Sequence, residues 1–534
     1  MTLHRRIAFL LLPFTVAQAQ SSSPDWDARG KAWWSHVQYL ASDDLQGRRP
    51  GTAGYDFAVQ YVQQQFKSLG LQPAGTAGYL QPVALDQVAI DLEKSSVTFN
   101  DQTSLDLVKD MTLNPHVTPG PPIHAPIIFV GYGLDLPSKH IDDLANLDLR
   151  GKVVVFYNAS PAALLGPLRA YARIPARRWR ALRSAGAIGM IAITPPRPLP
   201  GTAATPNPTP AAAPTPRATY LIADPAFETL PDLRLNATLT VAGAEKLFAR
   251  TGHSFAEIKA LADQGKPLPA VNLSTTIQVT TSIKQVARIN PANVIGKLEG
   301  SDRKLKHEYV IISAHLDHLG EGPAVNGDTI YNGAMDNASG IASVIEVAKL
   351  LSAGPRPKRS ILFIALAGEE LGELGSQYFA TRPSVKKSDI VADLNMDMFL
   401  PLFPMRYLEI QGLGESTLGN DARAICQLND VEPQFDKQPD ENRFIRSDQV
   451  NFVNRGIPAL AFKFGWTPDS PEMKTFNEWV KTRYHQPSDD LQQPVDKAAA
   501  AQFTQLLEQL AARVANATER PAWYPESSFS TIPK

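Results

Sequence analysis

The chain has 534 residues, more than one compact core usually holds, so two or three domains are expected. Hydrophobic residues make up 43% and charged residues 20%, which is typical of a globular protein and excludes a largely disordered chain. The 52 Lys and Arg are matched by 53 Asp and Glu, so no overall positive field favours nucleic acid or anionic lipid as a partner. The single cysteine, Cys426, excludes a disulfide framework and any metal site of several thiolates.

The first residues have the pattern of an export signal. Residues 4–6, His-Arg-Arg, precede a mostly apolar run at 7–16, and Ala-Gln-Ala follows at 17–19. This predicts a signal peptide at 1–19 and an exported protein, periplasmic or secreted. A membrane anchor or a buried first helix is the alternative, but the run is too short to cross a bilayer. No later segment is apolar over the about 18–20 residues that a span requires, so no membrane span is predicted in the mature chain.

Helical periodicity dominates residues 25–72, where apolar residues recur mostly every three or four positions. A loop rich in Gly and Pro interrupts it at 47–51, and strand-like runs such as 96–99 follow.

The middle of the chain, from about residue 121, has a different character, with short β-prone runs. The predicted elements are strands at 127–130, 153–156, 188–193 and 270–280, and helices at 177–184 and 243–250. Residues 194–217 hold nine prolines and no apolar period, which predicts a solvated, polyproline-like loop.

From about residue 287 strands and helices alternate. Strands are predicted at 309–313, 361–367, 390–398 and 459–462, and helices at 341–351, 371–379 and 495–515. This order predicts an α/β fold with a mixed, mainly parallel sheet flanked by helices. Ligands of such sheets bind beyond the carboxyl ends of the strands.

Side chains that bind metals or transfer protons follow these strands or lie in loops that could reach the same crevice. They are His315, Asp317, Asp336, Glu369, Glu370, Asp397 and His485. Each alone has an ordinary explanation, such as a helix cap, a hydrogen-bonded core histidine or a solvated first helical turn. Asp397 is harder to explain because it follows an apolar strand, where an unpaired carboxylate is costly to bury. Together the residues favour a functional site.

Two histidines and three of these carboxylates could hold a pair of divalent cations. Two such ions about 3.5–4 Å apart repel each other, so they need terminal carboxylates and one carboxylate that binds both. Neutral imidazoles complete each coordination sphere without adding charge. A donor set without thiolates suits Zn²⁺, and also Co²⁺ or Mn²⁺.

Glu369 and Asp317 remain outside this set of five. Glu369 is placed to take a proton from a water molecule and to return it to a leaving amine. Asp317, two residues after His315, is expected to accept the second ring N–H of that histidine and so fix its tautomer.

Five motifs, in this order, resemble those of the family-28 zinc metallopeptidases, which include bacterial leucyl aminopeptidases. They are His-x-Asp from 315, Gly-Ala-x-Asp-Asn-x-Ser-Gly from 333, Gly-Glu-Glu-x-Gly from 368, Asn-x-Asp from 395 and Tyr-His-x-Pro-x-Asp from 484. The resemblance implies two zinc ions, with the ligands His315, Asp336 as the bridge, Glu370, Asp397 and His485. It also implies Glu369 as general base and Asp317 in support of His315.

The resemblance extends beyond these motifs. Residues 39–51 are similar to the N-terminal segment of bacterial members, and 129–133 with 149–154 resemble the protease-associated domain often inserted in them. The implied division is a signal peptide at 1–19, an N-terminal part of the peptidase domain at 20–115, an inserted mostly-β protease-associated domain at 116–284 with the Pro-rich loop 194–217, the catalytic domain at 285–520 and a C-terminal tail at 521–534.

The resemblance implies an exopeptidase, and first of all an aminopeptidase acting on peptides. A carboxypeptidase or dipeptidase of the same fold stays open, because no residue reports which chain end is bound. A single-zinc glutaminyl cyclase-like enzyme and a non-catalytic receptor-type module are further alternatives, which the complete ligand set disfavours. Substrate-binding residues and the oligomeric state are not predicted.

One position departs from the family pattern. Many relatives have Arg-Ser-Asp-His where residues 446–449 read Arg-Ser-Asp-Gln. Gln449 is not an expected ligand, so we expect it to alter the wall of the substrate pocket and not catalysis.

Overall fold

The structure, a computed structural model, describes residues 24–136, 140–164, 168–169, 174–194, 218–228, 230–249, 253–441, 443–527 and 529–530. The predicted signal peptide at 1–19 and nearly all of the Pro-rich loop lie outside these residues. Within them, no helix combines the length and the apolar character needed to cross a membrane.

Strands and helices follow one another along the described chain. The strands are β1 (Gln72–Pro73), β2 (Leu80–Pro82), β3 (Leu85–Ile90), β4 (Ser96–Phe99), β5 (Met111–Leu113), β6 (Ile123–Val130), β7 (Asp135–Leu136), β8 (Ile141–Asp142), β9 (Val153–Tyr157), β10 (Gly189–Ile193), β11 (Thr219–Ile222), β12 (Leu235–Leu239), β13 (Ala270–Thr280), β14 (Ile283–Ile289), β15 (Ala292–Leu298), β16 (Tyr309–His315), β17 (Gly320–Val325), β18 (Asp328–Tyr331), β19 (Ser360–Leu366), β20 (Ile390–Asn395), β21 (Tyr407–Gln411), β22 (Glu432–Gln434) and β23 (Ala459–Phe464). The helices are α1 (Trp26–Leu40), α2 (Ala53–Ser68), α3 (Pro175–Ser184), α4 (Val241–Phe248), α5 (Phe255–Asp263), α6 (Ser339–Ala353), α7 (Leu374–Thr381), α8 (Leu418–Leu428), α9 (Gln449–Val453), α10 (Pro471–Thr482) and α11 (Lys497–Asn516).

The largest sheet in the described chain has the order β1-β15-β19-β16-β20-β23-β21-β22, with β2 beside β15. Its central strands β19, β16, β20 and β23 are parallel. The strands β15 and β21 flank this centre in the antiparallel direction. The predicted α/β class with a mixed sheet is therefore confirmed, and its parallel part forms the centre.

Helices cover both faces of this sheet. Since successive residues of a strand point to opposite faces, β16 sends Val310 and Ile312 to one side and Ile311 to the other. The first side packs against α1, α6 and α11, and the second against α7 and α9. A strand buried on both faces reads as an unbroken apolar run, which is why the sequence revealed these strands.

A second sheet of the described chain has the order β4-β13-β6-β9-β10-β12-β5. Its central strands β6, β9, β10 and β12 are parallel, and α3, α4 and α5 pack on it. The predicted boundary at residue 116 differs from this arrangement, because β4 and β5 precede it and pair with β13 and β12. Partners so distant in sequence leave no local signal.

Candidate metal centre

The predicted site residues lie at the carboxyl edge of the central parallel strands. His315 ends β16 and pairs in register with Leu366, the last residue of β19. Glu369 and Glu370 follow β19 by three and four residues, and Asp397 follows β20 by two. Neighbouring parallel strands thus bring these groups to one place.

Asp336 reaches the same edge from the segment Ala334–Ala338, which leads into α6. The buried carboxylate of Asp489 accepts hydrogen bonds from the backbone N–H groups of Met335 and Asp336, both at 2.9 Å. The Asn337 amide donates to the carbonyl of Met396 at 2.8 Å, next to Asp397. These bonds fix the Asp336 backbone relative to the end of β20.

The two carboxylate oxygens of Asp336 face two different groups of side chains. Oδ1 lies 3.4 Å from His315 Nε2, and that nitrogen is also 3.4 Å from Asp397 Oδ1. Oδ2 lies 3.3 Å from His485 Nε2, and that nitrogen is 3.5 Å from Glu370 Oε2. The structure therefore brings together all five predicted ligands, with Asp336 between two sets.

The donor atoms fit a metal better than they fit one another. Ligand atoms of a tetrahedral zinc ion lie about 3.3 Å apart, because each bond is about 2.0–2.2 Å long. The four distances above agree with that spacing. His315 Nε2 and Asp397 Oδ1 are buried and have no hydrogen-bond partner among the described residues. Buried polar atoms without a partner are unusual and here indicate a place for a cation.

The carboxylates and imidazoles at the site stabilise one another's charged forms. Burial opposes ionisation of Asp336, yet the imidazoles of His318, His315 and His485 hold the pKa of this carboxyl well below its usual range. Burial also opposes protonation of His315, but Glu369, Asp336 and Asp397 raise its pKa well above the ordinary value. The pocket thus stabilises positive charge close to the Asp336 carboxylate.

Glu369 lies beside these ligands and has a different environment. Burial is the largest cause that raises the pKa of Glu369 well above its usual range; Asp397 and Glu370 act in the same direction, and His315 acts against them. A carboxyl group with a raised pKa can accept a proton and later release it near neutral pH.

Asp317 is close to His315, but its backbone carbonyl faces the ring, and the predicted contact through its carboxylate is wrong. His315 Nδ1 lies 3.2 Å from the backbone carbonyl oxygen of Asp317. The Asp317 carboxylate instead accepts the backbone N–H groups of Glu369 at 3.1 Å and Glu370 at 3.2 Å. The chain turns directly after His315, which returns the carbonyl to the ring and points the side chain toward the end of β19. Burial raises the pKa of Asp317 to about 6.

His318 is a site residue that the sequence interpretation missed. It is fully buried, and its Nδ1 lies 2.8 Å from Glu370 Oε1 and 3.9 Å from Asp336 Oδ2. Its position three residues after His315 was the available signal.

Arg48, from the loop between α1 and α2, is fully buried beneath the site. Its guanidinium donates to the carbonyls of Leu40, Leu316, Asn332 and Gly333 at 2.6–3.1 Å. Burial lowers the pKa of Arg48 to about 10, so the group stays charged at neutral pH. It joins the segment after His315 to the segment before Asp336.

Replacing Arg48 by Met is expected to lower the free energy of unfolding by about 3 kcal/mol or more, because four carbonyls lose their donor. Urea unfolding measures the change. Arg49→Met is the matched control, since the Arg49 side chain donates to a single carbonyl of the described residues, that of Leu319, and its loss is expected to cost about 1 kcal/mol. Equal losses in the two variants would contradict this role of Arg48.

Gln449 lies inside the protein and not on a pocket wall. Its side chain is fully buried, accepts the Asn395 amide at 2.7 Å and donates to the carbonyls of Arg443 and Phe444, both at 3.1 Å. It therefore links the end of β20 to the loop that precedes α9, and the expectation of an altered pocket wall is not met.

Histidine and carboxylate side chains gathered at the carboxyl edge of a parallel sheet form a donor set that suits divalent metal ions. Residues 293–511 match the model of peptidase family M28, so this part of the chain is similar to that family. Leupeptin-inactivating enzyme 1 of Streptomyces exfoliatus is 29% identical over 243 residues, which are 44% of this chain and 50% of that protein. Aminopeptidase YwaD of Bacillus subtilis is 27% identical over 222 residues, 40% of this chain and 43% of its own. The chain thus spans about half the length of these relatives or less.

Among solved structures, an aminopeptidase from Aneurinibacillus sp. strain AM-1 is similar over 92% of this chain and 95% of its own, with 19% identity and a TM-score of 0.49.

Proposed function

We propose that this chain is an exported metallo-aminopeptidase that holds two zinc ions at the centre described above. The observation that carries the proposal is the division of the Asp336 carboxylate between two sets of donors. His315 and Asp397 complete one set, and His485 and Glu370 complete the other. Cobalt or manganese would suit the same donors.

Bound zinc would make a water molecule more acidic and would polarise the carbonyl group of the scissile peptide. Glu369 takes the proton of that water molecule as it attacks the carbonyl carbon. The same carboxyl then gives the proton to the amine nitrogen as the C–N bond breaks, so one residue serves both halves of the reaction. Asp317 supports this step through the backbone, because it holds the N–H groups of Glu369 and Glu370.

Preference for a free peptide N-terminus is supported by the acidity of the crevice. Glu373 adds a partly exposed carboxyl group near the ligands, and in its ionised form this group attracts a protonated amine. Two relatives point the same way by name: the aminopeptidase of B. subtilis and a probable lipoprotein aminopeptidase of Mycobacterium tuberculosis, which is 28% identical over 245 residues. Export rests on the sequence of residues 1–19, and the second sheet is proposed to belong to a protease-associated domain.

A peptide panel tests the reaction. Peptides with free and with acetylated N-termini are incubated with the protein, with and without a chelator, and zinc is measured in parallel. Cleavage of the free peptides alone, abolished by the chelator, with two zinc ions per chain, is the expected result. Removal of C-terminal residues from acetylated peptides would indicate a carboxypeptidase. Ring closure of N-terminal Gln with one zinc would indicate a cyclase, and neither metal nor turnover would indicate a binding module.

A further inference from the structure

His318 occupies a closed position directly below the metal centre. Its backbone N–H donates to the carbonyl of Arg48, and its ring packs so closely under Gly333 that a Cβ atom there would lie 2.5 Å from the ring. Neither ring nitrogen has a hydrogen-bond partner among the described residues. A fully buried imidazole in this state needs a polar group, and the carboxylate of Glu370 is the nearest one.

The two oxygens of Glu370 are divided between two imidazoles. Oε1 lies 2.8 Å from His318 Nδ1, whereas Oε2 lies 3.5 Å from His485 Nε2. The two histidines also differ in exposure, since the side chain of His485 is 37% exposed and that of His318 is fully buried. One oxygen therefore faces a rigid interior group and the other faces the open side of the site.

The distances from the two histidines to Glu370 distinguish a hydrogen-bond partner from a fellow metal ligand. Two ligand atoms on one zinc ion that are only 2.8 Å apart subtend about 85°, far from the tetrahedral angle, because each bond is about 2.0–2.1 Å long. A separation of 2.8 Å is instead the usual length of an N–H···O⁻ hydrogen bond. The pair therefore has the distance of a hydrogen bond, although its geometry does not complete one.

We propose that His318 is a positioning residue for the second zinc ion: its Nδ1–H holds Oε1 of Glu370, which leaves Oε2 for the ion that His485 also binds. This inference rests on the proposed zinc centre. Hydrogen-bond partners of metal ligands orient them, and their loss typically lowers metal affinity about 10–100-fold.

The test compares three variants by zinc titration against a chromophoric chelator. His318→Ala is expected to weaken the second zinc ion by about 10–100-fold and to leave the first one unchanged. His318→Asn is expected to restore most of that affinity, because its amide N–H lies where the ring Nδ1–H was. His318→Gln places its amide near the other ring nitrogen and is expected to resemble His318→Ala. The Asn and Gln variants can be compared with each other even if the Ala variant does not fold.

His36→Ala serves as a matched control, because His36 is also buried but contacts Tyr61 and Glu346 away from the site. Unchanged affinity for the second zinc ion in His318→Ala, or equal affinities in the Asn and Gln variants, would overturn the inference while the zinc centre stands. Fewer than two zinc ions on the wild-type protein would instead overturn the proposed function, and with it this inference.

Discussion

Replacing Glu369 by Gln is expected to lower kcat by about 10²–10⁴-fold while both zinc ions stay bound. The amide has nearly the shape of the carboxyl group, but it cannot take the proton of the attacking water. Glu370 and the other donors to the metal are untouched. Steady-state kinetics on a peptide with a free N-terminus and elemental analysis of the same sample measure the two quantities.

Glu346→Gln is the matched control for this experiment, because Glu346 is also a buried glutamate but lies on α6 and contacts His36 and Lys349. It is expected to keep near-normal kcat. A Glu369→Gln protein with near-normal turnover would remove Glu369 as the base, whereas loss of zinc from it would show that the side chain binds metal.

Replacing Asp336 by Asn is expected to release both zinc ions and to abolish turnover. Each oxygen of this carboxylate faces one set of donors, so the substitution removes a negative charge and a donor from both sets at once. The loss of affinity should exceed the about 10–100-fold that removal of a surrounding hydrogen bond costs. Zinc content after dialysis against a buffered chelator measures it.

Single-histidine variants make this result specific. His315→Ala should weaken one ion and His485→Ala the other, whereas Asp336→Asn should weaken both. Asp421→Asn controls for the chemical change, since Asp421 pairs with Arg513 at the surface far from the site. Loss of one ion only from the Asp336→Asn protein would mean that this carboxylate does not bridge.

The meeting of the candidate ligands at one place could be predicted from the sequence because strand ends in a parallel sheet converge. His315 ends an apolar strand, and Glu370 and Asp397 follow such strands by a few residues. The parallel order of these strands then brings the three side chains to one edge of the sheet. The finer contacts could not be predicted in the same way. The direction of the Asp317 side chain depends on the turn after β16, which spacing alone does not define.

The burial of polar residues outside the motifs could not be predicted from the sequence. Arg48 stands in a Gly- and Pro-rich loop, where a charged residue is normally solvated, and only the fold shows it to be enclosed. Gln449 stood out as a departure from the family pattern, but its hydrogen bonds to Asn395 and to backbone carbonyls depend on the approach of a distant loop.

The positions of Arg48 and Asp489 in the sequence have a consequence for how the site is assembled during folding. One stands before α2 and the other just before α11, yet both anchor the segment around Asp336. The proposed metal centre is therefore complete only after these early and late regions of the chain have packed together during folding.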